Sequence, residues 1–372
     1  MIKAKKTIKI AILGTRGIPA EYGGFETFAE ELSVRLVKKG YDVTVYCRKD
    51  KSESMKSLYQ GVHLVYLPTV RHKYFETVAH TFFSTLHVML SDVQIVYYCN
   101  AINSIYLFLP RLFGKKVIMN VNGLEWKRAK WNRIGKIAYQ VSEYIATLFA
   151  NVIVSDSKRI ANYYKKKFNA LTTLISYGST GQIAENGVDV LSSFGLKKRD
   201  YLLYVSRLEP ENNALIFIQG FEKIKTDMPL VIVGSAPYGV PYINRLRETL
   251  DPRIKFLGAI YGDNYRILKS HAYLYLHGNE VGGTNPALLE AMALGNCVIA
   301  TGVGFNRHVI GKAGFWFKHR NVNDLQEKLK YLLANPQEVD KYRPLAIERM
   351  KKYYNWDDVA KKYDDLFQKI IN

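Results

Sequence analysis

The sequence predicts an α/β protein of two domains, each a parallel sheet covered by helices on both faces. Three observations carry that reading. Short β-branched or aromatic runs alternate with longer helical patterns from one end of the chain to the other. The runs are continuously apolar rather than alternating, as strands buried on both faces must be. And 372 residues exceed a single typical core, since a domain averages about 150 residues.

Taken in order, the first half offers strands at 7–13 (TIKIAIL), 42–47 (DVTVYC), 62–67 (VHLVYL), 93–98 (VQIVYY), 116–121 (KVIMNV), 151–155 (NVIVS) and 172–177 (TTLISY). Between them lie helical stretches such as FETFAEELSVRLVKKG, where Phe25, Phe28, Leu32 and Leu36 repeat with a 3.6-residue period and Gly40 ends the run. The pattern resumes at 201–206 (YLLYVS), 230–234 (LVIVG), 254–258 (IKFLG), 273–278 (YLYLHG) and 297–301 (CVIAT). The stretch separating the halves, residues 178–199, is rich in Gly, Ser and Asn and lacks a period, so it reads as a linker. Open parallel sheets bind ligands beyond the carboxyl ends of their strands, and the two such rims are expected to face one cleft.

Composition narrows the class. With 48% hydrophobic and 23% charged residues the chain is an ordinary globular one. No run of 18 apolar residues occurs, so no transmembrane helix is expected. The opening MIKAKKTIKIAILGTRG superficially resembles a signal peptide, but it runs into a glycine loop and is better read as a buried first strand. Cys47, Cys99 and Cys297 form no CxxC pair, which fits a reducing cytoplasm. The net charge is +20, and its distribution is uneven: residues 1–180 carry 27 Lys and Arg against 12 Asp and Glu, while residues 181–372 carry 26 against 21. A polyanionic partner of the first half is implied, either nucleic acid or an anionic membrane surface.

The stretch NEVGGTNPALLEAMALG, residues 279–295, places Gly282, Gly283, Thr284 and Asn285 as a loop feeding a helix, with Asn285 as N-cap and Pro286 in the first helical position. Unpaired first-turn N–H groups and the helix dipole make that end a candidate phosphate site, with Glu290 one turn on, placed to accept from ribose hydroxyls. Arg207, past the end of the YLLYVS strand, is a permanent cation that grips phosphate oxygens in pairs. In GTRGIPAEYGGFETF, glycines 14, 17, 23 and 24 precede a helix, yet the spacing is not that of a dinucleotide fingerprint. Asp156, Asn122 and Glu125 follow first-half strands; Asp156 is equally suited to cap a helix starting at Lys158. WKRAKWNRIGK, residues 126–136, sets two tryptophans among five cations and reads as an interfacial membrane patch, or else as a solvated helix with its tryptophans in the core. There is no HExxH, Walker A, GxSxG or DxD sequence, and no Cys–His cluster, so no metal site is expected.

GTRGIPAEYGGFETF, NVNGLEWKRAKW, the DS of VIVSDSKRI, SRLEPENN and GGTNPALLEAMALG together resemble the rhamnosyltransferase-type branch of glycosyltransferase family 4, which builds bacterial capsule and cell-wall polysaccharides. The resemblance covers nearly the whole chain and implies a GT-B architecture: an acceptor-binding Rossmann-like domain over residues 1–178, a nucleotide-sugar domain over 179–354, and a last helix, 355–372, crossing back to the first domain. It implies that Glu290 holds the donor ribose and Arg207 the diphosphate, with Gly283, Thr284, Asn285 and Leu288 contributing contacts and Gly23 and Gly24 approaching the same phosphates. Catalytic roles fall to Arg207, Glu290 and Asp156, and acceptor binding to Asn122, Glu125, Trp126 and Asp156. The sequence departs from the family pattern at two places: the first acid of the family's glutamate pair falls on Gly282, with Glu280 out of register, and the lysine that assists the arginine falls on Asn212.

The resemblance further implies a retaining, metal-independent transfer with no cofactor beyond the substrate nucleotide sugar. The missing first acid agrees with a 6-deoxy donor, dTDP-L-rhamnose, and a UDP-hexose is the alternative. The expected acceptor is a lipid diphosphate-linked saccharide at the cytoplasmic face of the membrane, bound peripherally through the basic first domain. A sugar-nucleotide epimerase, a phosphorylase and a nucleic-acid-binding protein are the remaining alternatives, the last without any folded nucleic-acid motif to support it.

Overall fold

The computed structural model describes residues 7–20, 23–49, 55–70, 72, 75–184, 187–236 and 239–371. The chain divides into two compact units, one of Met1–Lys127, Trp131–Tyr177 and Trp356–Asn372, the other of Arg128–Lys130 and Gly178–Asn355.

In the first unit, β1 (Lys9–Leu13), α1 (Gly24–Lys38), β2 (Asp42–Arg48), β3 (Leu58–Tyr59), β4 (Val62–Leu67), α2 (Glu76–Met89), β5 (Ile95–Cys99), α3 (Phe108–Leu112), β6 (Lys116–Asn120), α4 (Arg133–Phe149), β7 (Val152–Ser155), α5 (Lys158–Phe168) and β8 (Thr173–Leu174) follow one another. The strands form one sheet in the order β3-β4-β2-β1-β5-β6-β7-β8, parallel except for the β3–β4 pair. The apolar runs supply its buried faces: all five β5 residues are fully enclosed. Val88 of α2, Leu107 before α3, Ala146 of α4 and Ile160 of α5 pack on one face with Leu13, Tyr98 and Met119.

The second unit runs α6 (Val188–Ser193), β9 (Leu202–Val205), α7 (Ala214–Glu222), β10 (Leu230–Val233), α8 (Val240–Leu246), β11 (Ile254–Gly258), α9 (Gly262–Ser270), β12 (Leu274–His277), α10 (Pro286–Ala293), β13 (Cys297–Thr301), α11 (Gly304–Ile310), β14 (Phe315–Phe317), α12 (Val322–Ala334) and α13 (Pro336–Tyr353). Its sheet is wholly parallel in the order β11-β10-β9-β12-β13-β14, the doubly wound order in which the chain reverses direction between the first and fourth strands, here β9 and β12.

The last helix, α14 (Trp356–Ile371), returns to the first unit and packs on α1. Phe28 of α1 meets Tyr363 at 5.6 Å and Trp356 at 6.4 Å between ring centres, and Arg35 pairs with Asp357 at 3.0 Å. On α14, Trp356, Val359, Tyr363, Leu366 and Phe367 are buried, while Ile370 stays half-exposed in the final turn.

Three expectations need correction. The divider is not a free linker. It forms α6 and packs on the second unit: an added Cβ at Gly181 would meet the Ala293 carbonyl oxygen at 2.7 Å, and the Ala184 N–H donates to Ser270 Oγ at 3.1 Å. The strand at 172–177 shrinks to Thr173–Leu174. The short β3 and β14 carry too few residues for a periodic signal and escape the sequence reading.

Candidate active site

The candidate ligand site of the second unit is where the ends of β9 and β12 lie side by side, because adjacent connections leave in opposite directions there. Ser206, just past β9, donates from Oγ to Asn279 Oδ1 at 3.2 Å, tying the two strand ends together. Arg207 follows, half-buried, with its own carbonyl taking a 2.7 Å hydrogen bond from Asn212 Nδ2. Asn212 is fully enclosed, so the residue standing where the family carries a lysine shapes the Arg207 turn from inside. The neighbouring backbone is as tight: a Cβ at Gly278 would lie 2.0 Å from the Asn212 carbonyl oxygen, so only glycine fits after β12.

Beyond Gly278 the chain forms the loop 282–285 and enters α10. Gly282 takes φ +136°, and a Cβ there would meet open space. Asn285 is the N-cap, its side chain accepting from Ala287 N at 3.0 Å, and Pro286 holds the first helical position, both as the sequence indicates. Asn285 also accepts through its carbonyl from Leu288 N and Leu289 N, so these first-turn N–H groups are engaged, contrary to the sequence expectation. The candidate position for an anion therefore shifts to the loop preceding the helix, where the dipole still favours negative charge. Thr284 is buried, and the Leu288 side chain is fully enclosed.

Glu290 is not a lone acid in an apolar helix. Its Oε2 accepts from Lys269 Nζ at 2.7 Å and Tyr265 Oη at 3.1 Å, both from α9. The Lys269 side chain is completely buried, and its ammonium also donates to the Ala287 carbonyl at 3.1 Å. Burial lowers the Lys269 pKa, and the Glu290 carboxylate opposes that shift. A quarter-exposed carboxylate anchored on one oxygen keeps the other for a ligand hydroxyl. Nothing in the sequence flags Lys269 or Tyr265, because a lysine in RILKSH reads as a solvated residue. Glu280, the out-of-register acid, is held by Arg320, by His319 and by Asn213 Nδ2 at 3.2 Å. Those partners hold its carboxyl below the usual range against the opposing effect of burial.

In the first unit, Gly14 and Gly17 take φ +88° and +116°, and a Cβ on either would collide with Cys99 or Cys47. The loop they make is strapped to α1: Arg16 N donates to Glu26 Oε1 at 2.9 Å and Ala20 N to Glu30 Oε2 at 2.6 Å. Gly23 is the N-cap and Gly24 the first residue of α1, with no side-chain cap. At the carboxyl ends of β6 and β7, Asn122 and Asp156 are both buried and both act on Tyr177: burial first, then the Asp156 carboxylate, push the Tyr177 phenol well above its ordinary value, while a hydrogen bond with Asn122 opposes this. Asp156 is not the cap of α5; Ser157 Oγ takes that role, accepting from Ile160 N at 3.4 Å. Glu125 and Trp126 open a short 3₁₀ turn, Glu125–Lys127.

The two indoles of the tryptophan–cation run turn toward the fold, as the solvated-helix alternative has them. Trp126 packs on the sheet-facing core and lies 6.4 Å from Tyr163, Trp131 lies 5.1 Å from Tyr139, and Arg128 is buried. The run is broken between the 3₁₀ turn and the start of α4, so its indoles and cations never share one helical face.

Residues 7–180 match the model of a domain of unknown function, DUF1972, and residues 192–352 that of glycosyl transferases group 1. Among curated relatives, an uncharacterized glycosyltransferase of Methanocaldococcus jannaschii is 22% identical over 99% of this chain and 100% of its own. A Campylobacter jejuni N-acetylgalactosamine-N,N'-diacetylbacillosaminyl-diphospho-undecaprenol 4-alpha-N-acetylgalactosaminyltransferase is 22% identical over 66% of this chain and 68% of its own. Among solved structures, the sucrose-phosphate synthase of Thermosynechococcus elongatus superposes with TM-score 0.80 at 18% identity, covering 98% of this chain and 99% of that one. Anabaena HepE in complex with UDP-glucose superposes with TM-score 0.79 at 15% identity, covering 97% and 100%.

Proposed function

We propose that this chain, a glycosyltransferase of GT-B architecture, transfers a sugar from a nucleotide diphosphate to a lipid diphosphate-linked saccharide in polysaccharide synthesis. That it is a glycosyltransferase rests on the group 1 match and on its glycosyltransferase relatives. The observation that carries the rest is the set of groups at the β9/β12 reversal: a guanidinium, a glycine-rich loop before a helix start, and a carboxylate one turn on, clamped by Lys269 and Tyr265. In this reading the diphosphate lies against Arg207, Gly283, Thr284 and Asn285, and Glu290 accepts from the ribose hydroxyls. Departure of the nucleoside diphosphate is assisted by Arg207 and the loop amides, which meet the charge developing on the leaving oxygen. In the first unit, Asn122, Glu125, Trp126 and Asp156 bind the acceptor.

The favoured donor is dTDP-L-rhamnose, transferred with retention and without a metal. Its support is the open Gly282 position, where the family's first acid is absent, together with the engagement of Glu280 by His319, Arg320 and Asn213. A UDP-hexose is the second reading, favoured by the neighbour that binds UDP-glucose. A lipid-linked acceptor is supported by the diphospho-undecaprenol substrate named for the Campylobacter relative and by the basic first half, which fits peripheral binding at the anionic cytoplasmic membrane face. Product analysis decides among these. Incubation with each nucleotide sugar and a lipid diphosphate-linked saccharide, followed by mass spectrometry and NMR of the anomeric proton, is expected to show one added deoxyhexose with retained configuration. An added hexose from UDP species overturns the donor assignment, and an inverted product overturns retention.

A further inference from the structure

Helices α2 and α4 are inside out. In α4, Tyr139, Ser142, Glu143 and Ala146 face the interior, while Ile134, Ile137, Val141, Tyr144 and Leu148 are 50–77% exposed at the 3,4-spacing of one helical stripe. In α2, His80, Thr81, Ser84 and Thr85 are buried, while Phe82, Phe83 and Leu86 stand about 40% exposed and Leu90, at the helix end, 86%. Inward polar groups find partners inside the fold: Ser84 and Thr85 donate to carbonyls one turn back, Thr85 Oγ1 lies 2.9 Å from Tyr98 Oη, and His80 Nε2 bonds the Cys47 carbonyl. Between the two helices, Phe108, Leu112 and Phe113 are exposed as well. The surface is continuous, since Phe82 touches Tyr106 at 5.8 Å and Phe108 touches Phe149 at 6.0 Å between ring centres. Exposed apolar side chains grouped on one face in this way mark an interaction surface.

We infer that this α2–α3–α4 face lies in the interfacial layer of an anionic lipid bilayer, with the α4 stripe inserted among the acyl chains. Charge selects lipid over a second copy of the chain. Residues 101–170 carry 13 Lys and Arg against three acids, and two of those, Glu143 and Asp156, are buried. Arg111, Lys116 and Arg133 are exposed beside the stripe, and Lys165, Lys166 and Lys167 are exposed on α5, which packs on the same sheet face. A like-charged copy would be repelled, and anionic headgroups attracted. Among the described residues no helix is long and apolar enough to cross a membrane, so the contact is shallow. The inference deepens the proposed function and rests on its lipid-linked acceptor, but it moves the membrane contact from the tryptophan–cation run to the inverted helices.

Flotation of the full chain with phosphatidylglycerol-rich vesicles and with phosphatidylcholine vesicles tests it. Binding to the anionic vesicles is expected, with a fraction surviving about 1 M salt, where the screening length is about 3 Å and only apolar contacts persist. Replacing Ile134, Ile137, Val141 and Leu148 together by Ser is expected to reduce vesicle partition by about a hundredfold or more. The same variant is expected to keep its thermal stabilisation by nucleoside diphosphate, which reads the second unit separately. A single Ile137→Trp chain, which leaves the fold unchallenged, is expected to shift its emission to the blue on vesicle addition. Absent vesicle binding, complete loss of binding in high salt, or an unchanged partition in the serine variant overturns the inference. So does a concentration-dependent dimer that the serine substitutions abolish without any vesicle binding. Vesicle binding without nucleotide stabilisation leaves the surface standing and removes the donor reading instead.

Discussion

Arg207 and the Glu290–Lys269 pair carry the sharpest predictions at the scale of single residues. Arg207→Ala is expected to lower kcat by roughly a hundredfold to a thousandfold, the usual loss when one donor to a developing anion is removed, with an unchanged melting temperature. Lys269→Met should weaken nucleotide binding nearly as much as Glu290→Gln, because the lysine fixes the oxygen that leaves the other free. Titration calorimetry on both single variants and the double variant checks this: strong non-additivity is expected, and additive losses would separate the two roles. Glu290 and Arg207 were legible in the sequence from loop chemistry and the resemblance. Lys269 and Tyr265 were not, because a salt bridge between α9 and α10 depends on how two helices flank one strand, which no local pattern records. The engagement of the first-turn amides by Asn285 was hidden for a different reason: an N-cap signal does not say whether the cap leaves donors over.

At the scale of elements, α4 tests the inverted packing through pH. Burial raises the Glu143 carboxyl from its ordinary 4.5 to about 7, with the Tyr163 hydroxyl and Lys167 opposing the shift. Because the folded value lies above the unfolded one, the stabilising contribution is complete below about pH 4.5 and is lost as pH rises through 7. Glu143→Gln is therefore expected to flatten the melting temperature across that window and to gain about 1–3 kcal/mol at pH 8. Thermal unfolding of both chains from pH 4 to pH 8 measures it; parallel curves would contradict the assignment. The C-terminal helix gives a second check. Tyr363 and Phe367 are enclosed against the first unit, so Phe367→Ala should cost about 3–5 kcal/mol in denaturant unfolding. The strands of five or more residues were legible because burial on both faces forces continuous apolar runs. The sequence reading singles out neither α2 nor the α4 stripe, and periodicity alone would not reveal their inversion, since it locates an apolar face without saying which way it points.

For the whole molecule, both units are basic, and what sets them apart is chemistry: the first carries an apolar outer layer on α2, α3 and α4, and the second the polar groups clustered at the β9/β12 reversal. The central claim is that the second unit binds a nucleoside diphosphate at the β9/β12 reversal. Thermal unfolding of wild type and Arg207→Ala with dTDP, UDP, ADP and GDP, each at a hundred times its dissociation constant where one is measurable, tests it most directly. Stabilisation of wild type by about 2.7 kcal/mol with one pyrimidine nucleoside diphosphate, greatly reduced in the Arg207 variant, is the predicted result. Equal stabilisation of both chains, or none of wild type by any of the four, would contradict it.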